Sequence, residues 1–304
     1  MGLLKNRKDT DMDIITMEHL TKSYGRSRGI IDLSLTVSEG EFFGFIGPNG
    51  AGKSTTIRTL LGLIRATSGS ASVLGMDVSN SSRKIQENIG YIPSEAMFYS
   101  GTTVSEILRL SARLRRKDCS EESRKLCQRL QLDPSKKTDE LSLGNRKKVA
   151  IVCALQHCPQ LYIFDEPTSG LDPLIQKEFF DILKERQDQG ASIFLSSHVL
   201  SEVQKYCSRA AVIREGRLIA CGDISELARS NAKRIILTGS GPAGQNLIDL
   251  FRADIRDFKN EGDSVSFLYQ GDIKELMRAL DTVPFTDITI TEPDLNEIFM
   301  HFYE

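Results

Sequence analysis

No apolar run in this chain of 304 residues approaches the ~20 residues needed to cross a bilayer, so a soluble globular protein is expected. Nor is there a C-x-x-C pair, or a histidine at zinc-finger spacing from a cysteine. The six cysteines, Cys119, Cys127, Cys153, Cys158, Cys207 and Cys221, are scattered and read as reduced thiols, without a disulfide frame or a zinc site. Cys153 and Cys158 lie in an apolar helical stretch and read as packing residues. Neither sign of charge dominates. The formal net charge of −2 removes the electrostatic footprint of a nucleic-acid binder. The short basic patches Arg113 to Lys117 and Arg146 to Lys148 read as solvated helix faces. The opening segment Met1 to Met12 is polar and charged, unlike a secretory signal, and a cytoplasmic location is expected. Internal repeats, low-complexity tracts and sustained heptads are also missing.

What the chain has is a glycine-rich loop after a buried strand. Gly47-Pro48-Asn49-Gly50-Ala51-Gly52-Lys53-Ser54-Thr55 fits G-x-x-x-x-G-K-[ST] and follows the apolar run Phe42 to Ile46. The glycines let successive backbone N–H groups turn toward phosphate oxygens. The run Thr56 to Ile64 has helical periodicity and points the positive end of its dipole at the same place. Lys53 would reach the β- and γ-phosphates of a nucleoside triphosphate, and Ser54 would give a hydroxyl to Mg²⁺.

Strand and helix patterns alternate from Ile14 to about Asp223, with strands expected at Ile30–Val37, Phe42–Ile46, Leu161–Phe164, Ser192–Leu195 and Ala210–Ile213. This is an α/β layered core. Between Ser82 and Asn145 the strand signals fade after Ile89–Ile92. Val104–Leu114 and Glu121–Leu130 there show the i, i+3, i+4 spacing of amphipathic helices, which suggests a helical insertion over about 91–145. The composition shifts near 227–233, and a βαββαβ order follows. Strands are expected at Arg234–Thr238, Ile255–Asn260, Val265–Gln270 and Phe285–Thr291, helices at Gly244–Arg252 and Ile273–Leu280, and a hairpin turn at Asn260-Glu261-Gly262-Asp263. A small α+β, ferredoxin-like domain over 233–304 is expected, after a first domain over 13–228. A last helix would carry Leu295, Ile298, Phe299 and Phe302 on one face.

A phosphate loop needs an acidic partner for its metal ion. Leu161-Tyr162-Ile163-Phe164-Asp165-Glu166 is an apolar strand ending in two carboxylates: Asp165 suits Mg²⁺, and Glu166 suits a base that polarises the attacking water. The polar turn Pro167 to Asp172 follows. A further strand runs into Ser196-Ser197-His198, which puts His198 at a strand end on the phosphate side of the sheet. His19, His157 and His301 read as ordinary hydrogen-bonded histidines.

Together with Leu141-Ser142-Leu143-Gly144-Asn145, these motifs resemble, in order, those of the ATP-binding cassette family, a P-loop NTPase fold; that pentapeptide is similar to the family signature LSGGQ. The resemblance covers Ile14 to Asp223. It implies that Tyr24 stacks on adenine, that Ser169 to Asp172 forms the D-loop, and that His198 is the switch histidine. It also implies a head-to-tail dimer, homomeric or heteromeric, in which Ser142 and Gly144 of one cassette face the γ-phosphate held by Lys53 of the other. Three positions depart from the pattern. Leu143 replaces a signature glycine and Asn145 its glutamine, while Ser94 follows Pro93 where the family usually has a glutamine that touches Mg²⁺. Ser94 or Glu95 is left to supply that oxygen.

The resemblance implies the ATP-hydrolysing subunit of a membrane transporter, with ATP and Mg²⁺ bound and Lys53, Glu166 and His198 as the candidate catalytic residues. The chain would sit on the inner face of the membrane through separate membrane-spanning subunits, docked by the helical insertion around Tyr91 to Leu130. Thr291 to Phe299 looks like the ending of bacterial exporter-type cassettes of the drug, antibiotic, peptide and sodium branch. An importer subunit, a soluble cassette ATPase of repair or translation, and a non-catalytic regulatory cassette are the rival readings. No nucleic-acid partner is expected.

Overall fold

The computed structural model describes residues 12–25, 27–227, 233–239, 254–281 and 283–291. The chain divides between Ile224 and Ser225 into two compact units. In the first, β3 (Phe42–Ile46), β6 (Ile89–Ile92), β7 (Leu161–Asp165), β8 (Ser192–Ser197), β9 (Arg209–Arg214) and β10 (Arg217–Asp223) form a six-stranded sheet in the order β10-β9-β3-β8-β7-β6. The pairs β9-β3-β8-β7-β6 are parallel, and β10 adds an antiparallel edge. Every residue of β3, β7 and β8 is buried. That follows from a parallel sheet covered on both faces, which needs continuous apolar runs such as Phe42-Phe43 and Leu161 to Phe164. Phe194 stacks on Phe43 at 5.8 Å and tilts against Phe45 at 5.2 Å, filling the layer beneath the phosphate loop.

A second sheet, unforeseen in the residue pattern apart from Ile30–Val37, joins β1 (Asp13–Tyr24), β2 (Ser27–Ser38), β4 (Ser68–Val73) and β5 (Met76–Asp77) in the order β2-β1-β4-β5. Its β1-β2, β1-β4 and β4-β5 pairs are antiparallel. Ile15, Met17, Leu33 and Val37 pack from it into the core shared with α1 (Lys53–Leu60) and the parallel sheet. The helix α1 is shorter than the apolar period suggests. Leu63 N–H returns to Arg58 O at 2.9 Å and closes the last turn before Ile64. Helix α2 (Val78–Asn88), capped by the Asp77 carboxylate on Ser79 N–H, was likewise not foreseen.

Two helices of the insertion fall where expected, α3 (Val104–Leu114) and α4 (Ser120–Arg129). Thr103 begins α3 with a reciprocal capping box to Glu106. Polar latches join the pair to the rest of the unit. Arg129 of α4 binds Glu178 (2.5 Å) and Glu185 (2.6 Å) on α6 (Pro173–Asp188), and Glu122 pairs with Arg186. At the end of α5 (Leu143–Leu155), Gln156 Nε2 donates to Leu108 O (3.1 Å), Lys117 Nζ donates to His157 O (3.0 Å), and Arg115 Nε donates to His157 Nε2 (3.1 Å). Two expectations are corrected here. Lys147 and Lys148 are buried rather than solvated, because α5 lies between the parallel sheet and the insertion. Cys158 is exposed in the turn after α5, at φ 48°, while Cys153 is half-buried within the helix.

The second unit holds β11 (Lys233–Thr238), β12 (Ile255–Asn260), β13 (Ser264–Tyr269), α9 (Ile273–Leu280) and β14 (Asp287–Thr291); the short helix α8 (Ile224–Leu227) precedes them. The sheet order is β12-β13-β11-β14, and all three pairs are antiparallel. Leu276 and Leu280 of α9 pack on Ile235, Leu237, Val265 and Phe267. The helix expected over 244–252 and the one carrying Leu295 to Phe302 lie outside the described residues.

Burial and the Arg115 and Lys117 cations push His157 down from 6.5 to about 4. Between these values the unfolded chain binds the proton and the folded chain does not. The stabilisation is therefore complete above pH 6.5 and lost as pH falls through 4. Urea midpoints measured from pH 7 to 4 should fall less steeply for His157→Gln than for wild type, by up to about 3 kcal/mol across the window.

Candidate nucleotide site

The parallel strands β3, β8 and β7 lie side by side, so the loop after β3, the carboxylates after β7 and the histidine after β8 emerge at one edge of the sheet. That edge, at the carboxyl ends of the strands, is where open α/β sheets bind ligands. The phosphate loop packs too closely for side chains at its start. A Cβ on Gly47 would stand 2.4 Å from Ile213 O and 2.9 Å from the Ala51 Cβ. Gly52, at φ 108°, then turns the chain into α1. Pro48, Asn49 and Gly50 are exposed, Ser54 and Thr55 half-buried at the helix start, and Ala51 is fixed from outside by Gly216 N–H on its carbonyl at 2.9 Å. Gly47 to Thr55 thus form a rigid cradle with an open rim.

Lys53 is 5% exposed, and its ammonium lies in the curl of its own loop, donating to Gly47 O at 2.6 Å and Pro48 O at 3.3 Å. It also pairs with Glu166 Oε1 at 3.1 Å. The other oxygen, Glu166 Oε2, lies 3.1 Å from His198 Nδ1. One carboxylate therefore bridges the loop lysine and the strand-end histidine. A cleft of about 200 Å³, lined by Glu166, Thr168, Ser197, His198 and Glu202, opens beside it. Glu166 holds a left-handed backbone, φ 49°, unusual outside glycine. Its N–H donates to Ser196 O at 3.2 Å, and its carbonyl accepts from Lys147 Nζ at 3.1 Å.

Asp165 is 1% exposed. Its Oδ1 accepts from Ser196 Oγ at 2.8 Å, while Oδ2 is buried without a hydrogen-bond partner. An orphaned carboxylate oxygen beside a loop that carries Ser54 is the donor set a hard cation requires, so these residues fit Mg²⁺. Burial, with the Asp165 charge assisting, pushes the neighbouring Tyr91 phenol up to about 12, which keeps it a neutral neighbour. Ser94 is half-buried and offers its carbonyl to Lys147 at 2.8 Å, and Glu95 is exposed.

The signature residues stand at the start of α5. Ser142 caps the helix, its Oγ accepting from Asn145 N–H at 3.3 Å. Gly144 lies against the turn after β7, where a Cβ would come within 2.7 Å of Gly170 O. The structure thus joins Leu143 and Gly144, next to Ser142, to the Ser169–Asp172 turn, in which Ser169 and Gly170 are exposed and Asp172 caps α6 through Ile175 N–H at 3.1 Å. Leu143 and Leu174 are exposed on the same side. Tyr24 ends β1 with its ring half exposed and Lys22 Nζ 5.2 Å from the ring centroid, at the rim of a cleft of about 450 Å³ whose lining includes Thr21, Gly29 and Ile30. Gly29 and Ile30 in turn border Gly52.

Ser196 and Lys147 were missed as site residues. Ser196 follows an apolar strand and resembles any strand-end serine. Lys147 sits between Arg146 and Lys148, where a run of three cations looks solvated.

Residues 30–169 match the model of the ABC transporter family. The bacitracin transport ATP-binding protein BcrA of Bacillus licheniformis is 32% identical over 94% of this chain and 96% of its own length. The chain belongs to the ABC transporter family. The probable multidrug ABC transporter ATP-binding protein YbhF of Escherichia coli K12 is 36% identical over 72% of this chain, which spans 39% of that relative's length. A solved ATP-binding subunit of an ABC transporter superposes with a TM-score of 0.66 and 32% identity, covering 71% of this chain and 92% of its own. The first unit is therefore an ABC cassette with the P-loop NTPase fold, and ATP is the nucleotide it binds. Among the described residues no helix is long and apolar enough to cross a membrane.

Removing the Lys53 ammonium takes away a charged donor to phosphate, which is worth about 1.5–3 kcal/mol. Isothermal titration of Lys53→Ala should show ATP affinity reduced at least tenfold. Unchanged binding would remove the loop from the site.

Proposed function

We propose that this chain is the ATP-hydrolysing subunit of an exporter, working as a cassette dimer that drives separate membrane-spanning subunits. The observation that carries the reading is the Glu166 carboxylate bridging Lys53 and His198 beside an open cleft. The backbone N–H groups of the Gly47 to Thr55 loop, with Asn49 and Gly50 at its exposed rim, and the Lys53 ammonium bind the β- and γ-phosphates. Tyr24 gives its open ring face to adenine. Ser54 and Asp165 would hold Mg²⁺, with Ser94 or Glu95 the candidate for a further oxygen; the ion would supply neutralising charge to the phosphates.

Phosphate oxygens compete with Glu166 and with the Gly47 carbonyl for Lys53. When Lys53 turns to phosphate, Glu166 loses its cation and becomes free to take a proton. A water in the cleft attacks the γ-phosphorus, its proton passes to Glu166, and the bond to the ADP oxygen breaks. His198 steadies the carboxylate through Oε2 and reaches toward the γ-phosphate.

A second cassette would bring its Ser142 and Gly144 to the same phosphate. The exposed Leu143 and Leu174, beside Ser169 and Gly170, support an interface on that face. The membrane partner would dock on the helical insertion, where Met97, Tyr99, Leu110 and Leu114 are exposed. Through that partner the chain would sit at the cytoplasmic face of the membrane. The match to the bacitracin transport protein over nearly all of both chains supports the drug and antibiotic branch, with the membrane chains selecting the substrate. The second domain, over 233–304, is read as a ferredoxin-like packing or dimerisation module.

Glu166→Gln keeps the shape of the side chain and removes the base. Turnover should fall by about 10²–10⁴-fold while ATP binding is retained, and a closed dimer should accumulate on gel filtration with ATP. Wild-type hydrolysis by this variant would take Glu166 out of the reaction. Affinity purification from membranes should recover a multi-helix membrane protein. Recovery of ribosomes or DNA in its place would overturn the transport reading.

A further inference from the structure

Lys147 is a cation in the second turn of α5 with only 3% of its surface exposed. Its ammonium donates to Pro93 O (3.2 Å), Ser94 O (2.8 Å) and Glu166 O (3.1 Å). Three N–H groups thus meet three carbonyl oxygens from two separate segments, and none of these acceptors is charged. Burial lowers the ammonium pKa, opposed by the charges of Asp165, Glu166 and Glu95. A buried ammonium is costly even when hydrogen-bonded, so an interior lysine held by neutral acceptors is a poor choice for stability alone.

What it holds is specific. Glu166 has a left-handed backbone, and the peptide groups on either side of its Cα are both pinned, N–H by Ser196 and C=O by Lys147. Those two bonds fix the direction in which the carboxylate leaves the chain toward Lys53 and His198. The same ammonium also grips the 93–94 loop, which leads to the exposed Met97 and Tyr99. The loop is tied to the site through its main chain rather than through the short Ser94 side chain.

We propose that Lys147 is a positioning residue that aims the Glu166 carboxylate and couples it to the 93–94 loop. Displacement of the loop at the docking surface would then be felt at Glu166 through a single ammonium. The proposal rests on the reading of Glu166 as the base.

Lys147→Met keeps the length of the stem and removes the donors. Single-turnover hydrolysis of Mg-ATP by the full chain should slow about ten- to a hundredfold, the cost of a misplaced catalytic group, while ATP affinity by equilibrium titration stays within about twofold. In a Glu166→Gln background, followed for hours, the same substitution should add no further loss, since its effect passes through the carboxylate. Equal losses in both backgrounds, wild-type turnover, or a parallel loss of affinity would each overturn the role. If melting shows that Lys147→Met does not fold, Lys147→Arg, which keeps the charge but misplaces the donors, takes its place with the same expected outcomes. Glu166→Gln at wild-type turnover would instead sink the base reading itself, whereas a slow Glu166→Gln with additive losses would sink only the role of Lys147.

Discussion

The placement of β8 between β3 and β7 is the constraint on which the site depends. Parallel pairing in this order sets Ile46 beside Ser197 and Asp165 beside Ser196, so three sequence segments more than a hundred residues apart at their extremes end together. Parallel register in turn demands strands that are apolar on both faces. The aromatic layer of Phe43, Phe45 and Phe194 supplies that, and it lies directly beneath the loop that must stay rigid. A one-residue slip of β8 would turn Ser196 away from Asp165 and leave Glu166 N–H without its acceptor. The chemistry at the rim is thus specified by packing several residues below it.

On that frame the charged groups at the rim pair with one another, apart from the orphaned Asp165 Oδ2. Lys53 is satisfied by its own loop and by Glu166, and Glu166 is shared with His198. The buried ammonium is neither unpaired nor bare. In the proposed mechanism, phosphate would exchange one partner of Lys53 for a more highly charged one, and that exchange would release the carboxylate. Recognition of phosphate and readiness of the proposed base would then be linked by competition for one ammonium rather than by a separate conformational device.

The parts of this arrangement that were legible in the sequence are those with a local signature. Phe42–Ile46 and Leu161–Phe164 are continuous apolar runs, Gly47 to Thr55 has fixed spacing, and Val104–Leu114 carries a helical period. The antiparallel sheet was not legible, because β4 (Ser68–Val73) is mostly small and polar and pairs by register with β1 about fifty residues away. The burial of Lys147 was hidden for a related reason. Its acceptors lie 53, 54 and 19 residues away, and they are main-chain carbonyls that any residue type would provide. A site residue whose partners are backbone atoms leaves no mark in the pattern of side chains. Cys158 shows the same limit from the other side, since the apolar stretch ahead of it gave no warning that the chain turns at Leu155.

Helix α5 ties these observations together. Ser142 at its start is exposed and Gly144 lies against Gly170, Lys147 in its second turn holds Glu166 and the 93–94 loop, and Gln156 and His157 just past its end receive α3 and its following turn. Between these polar anchors it is buried almost throughout, with Val149, Ile151, Val152, Ala154 and Leu155 in the core. A helix packed this way moves as a body or not at all. A push on the insertion or on the signature end must then be shared among all three anchor points. The one that reaches Glu166 is Lys147, through the Glu166 carbonyl, which makes α5 a rigid connection between the surfaces where partners would bind and the residue proposed to take the proton.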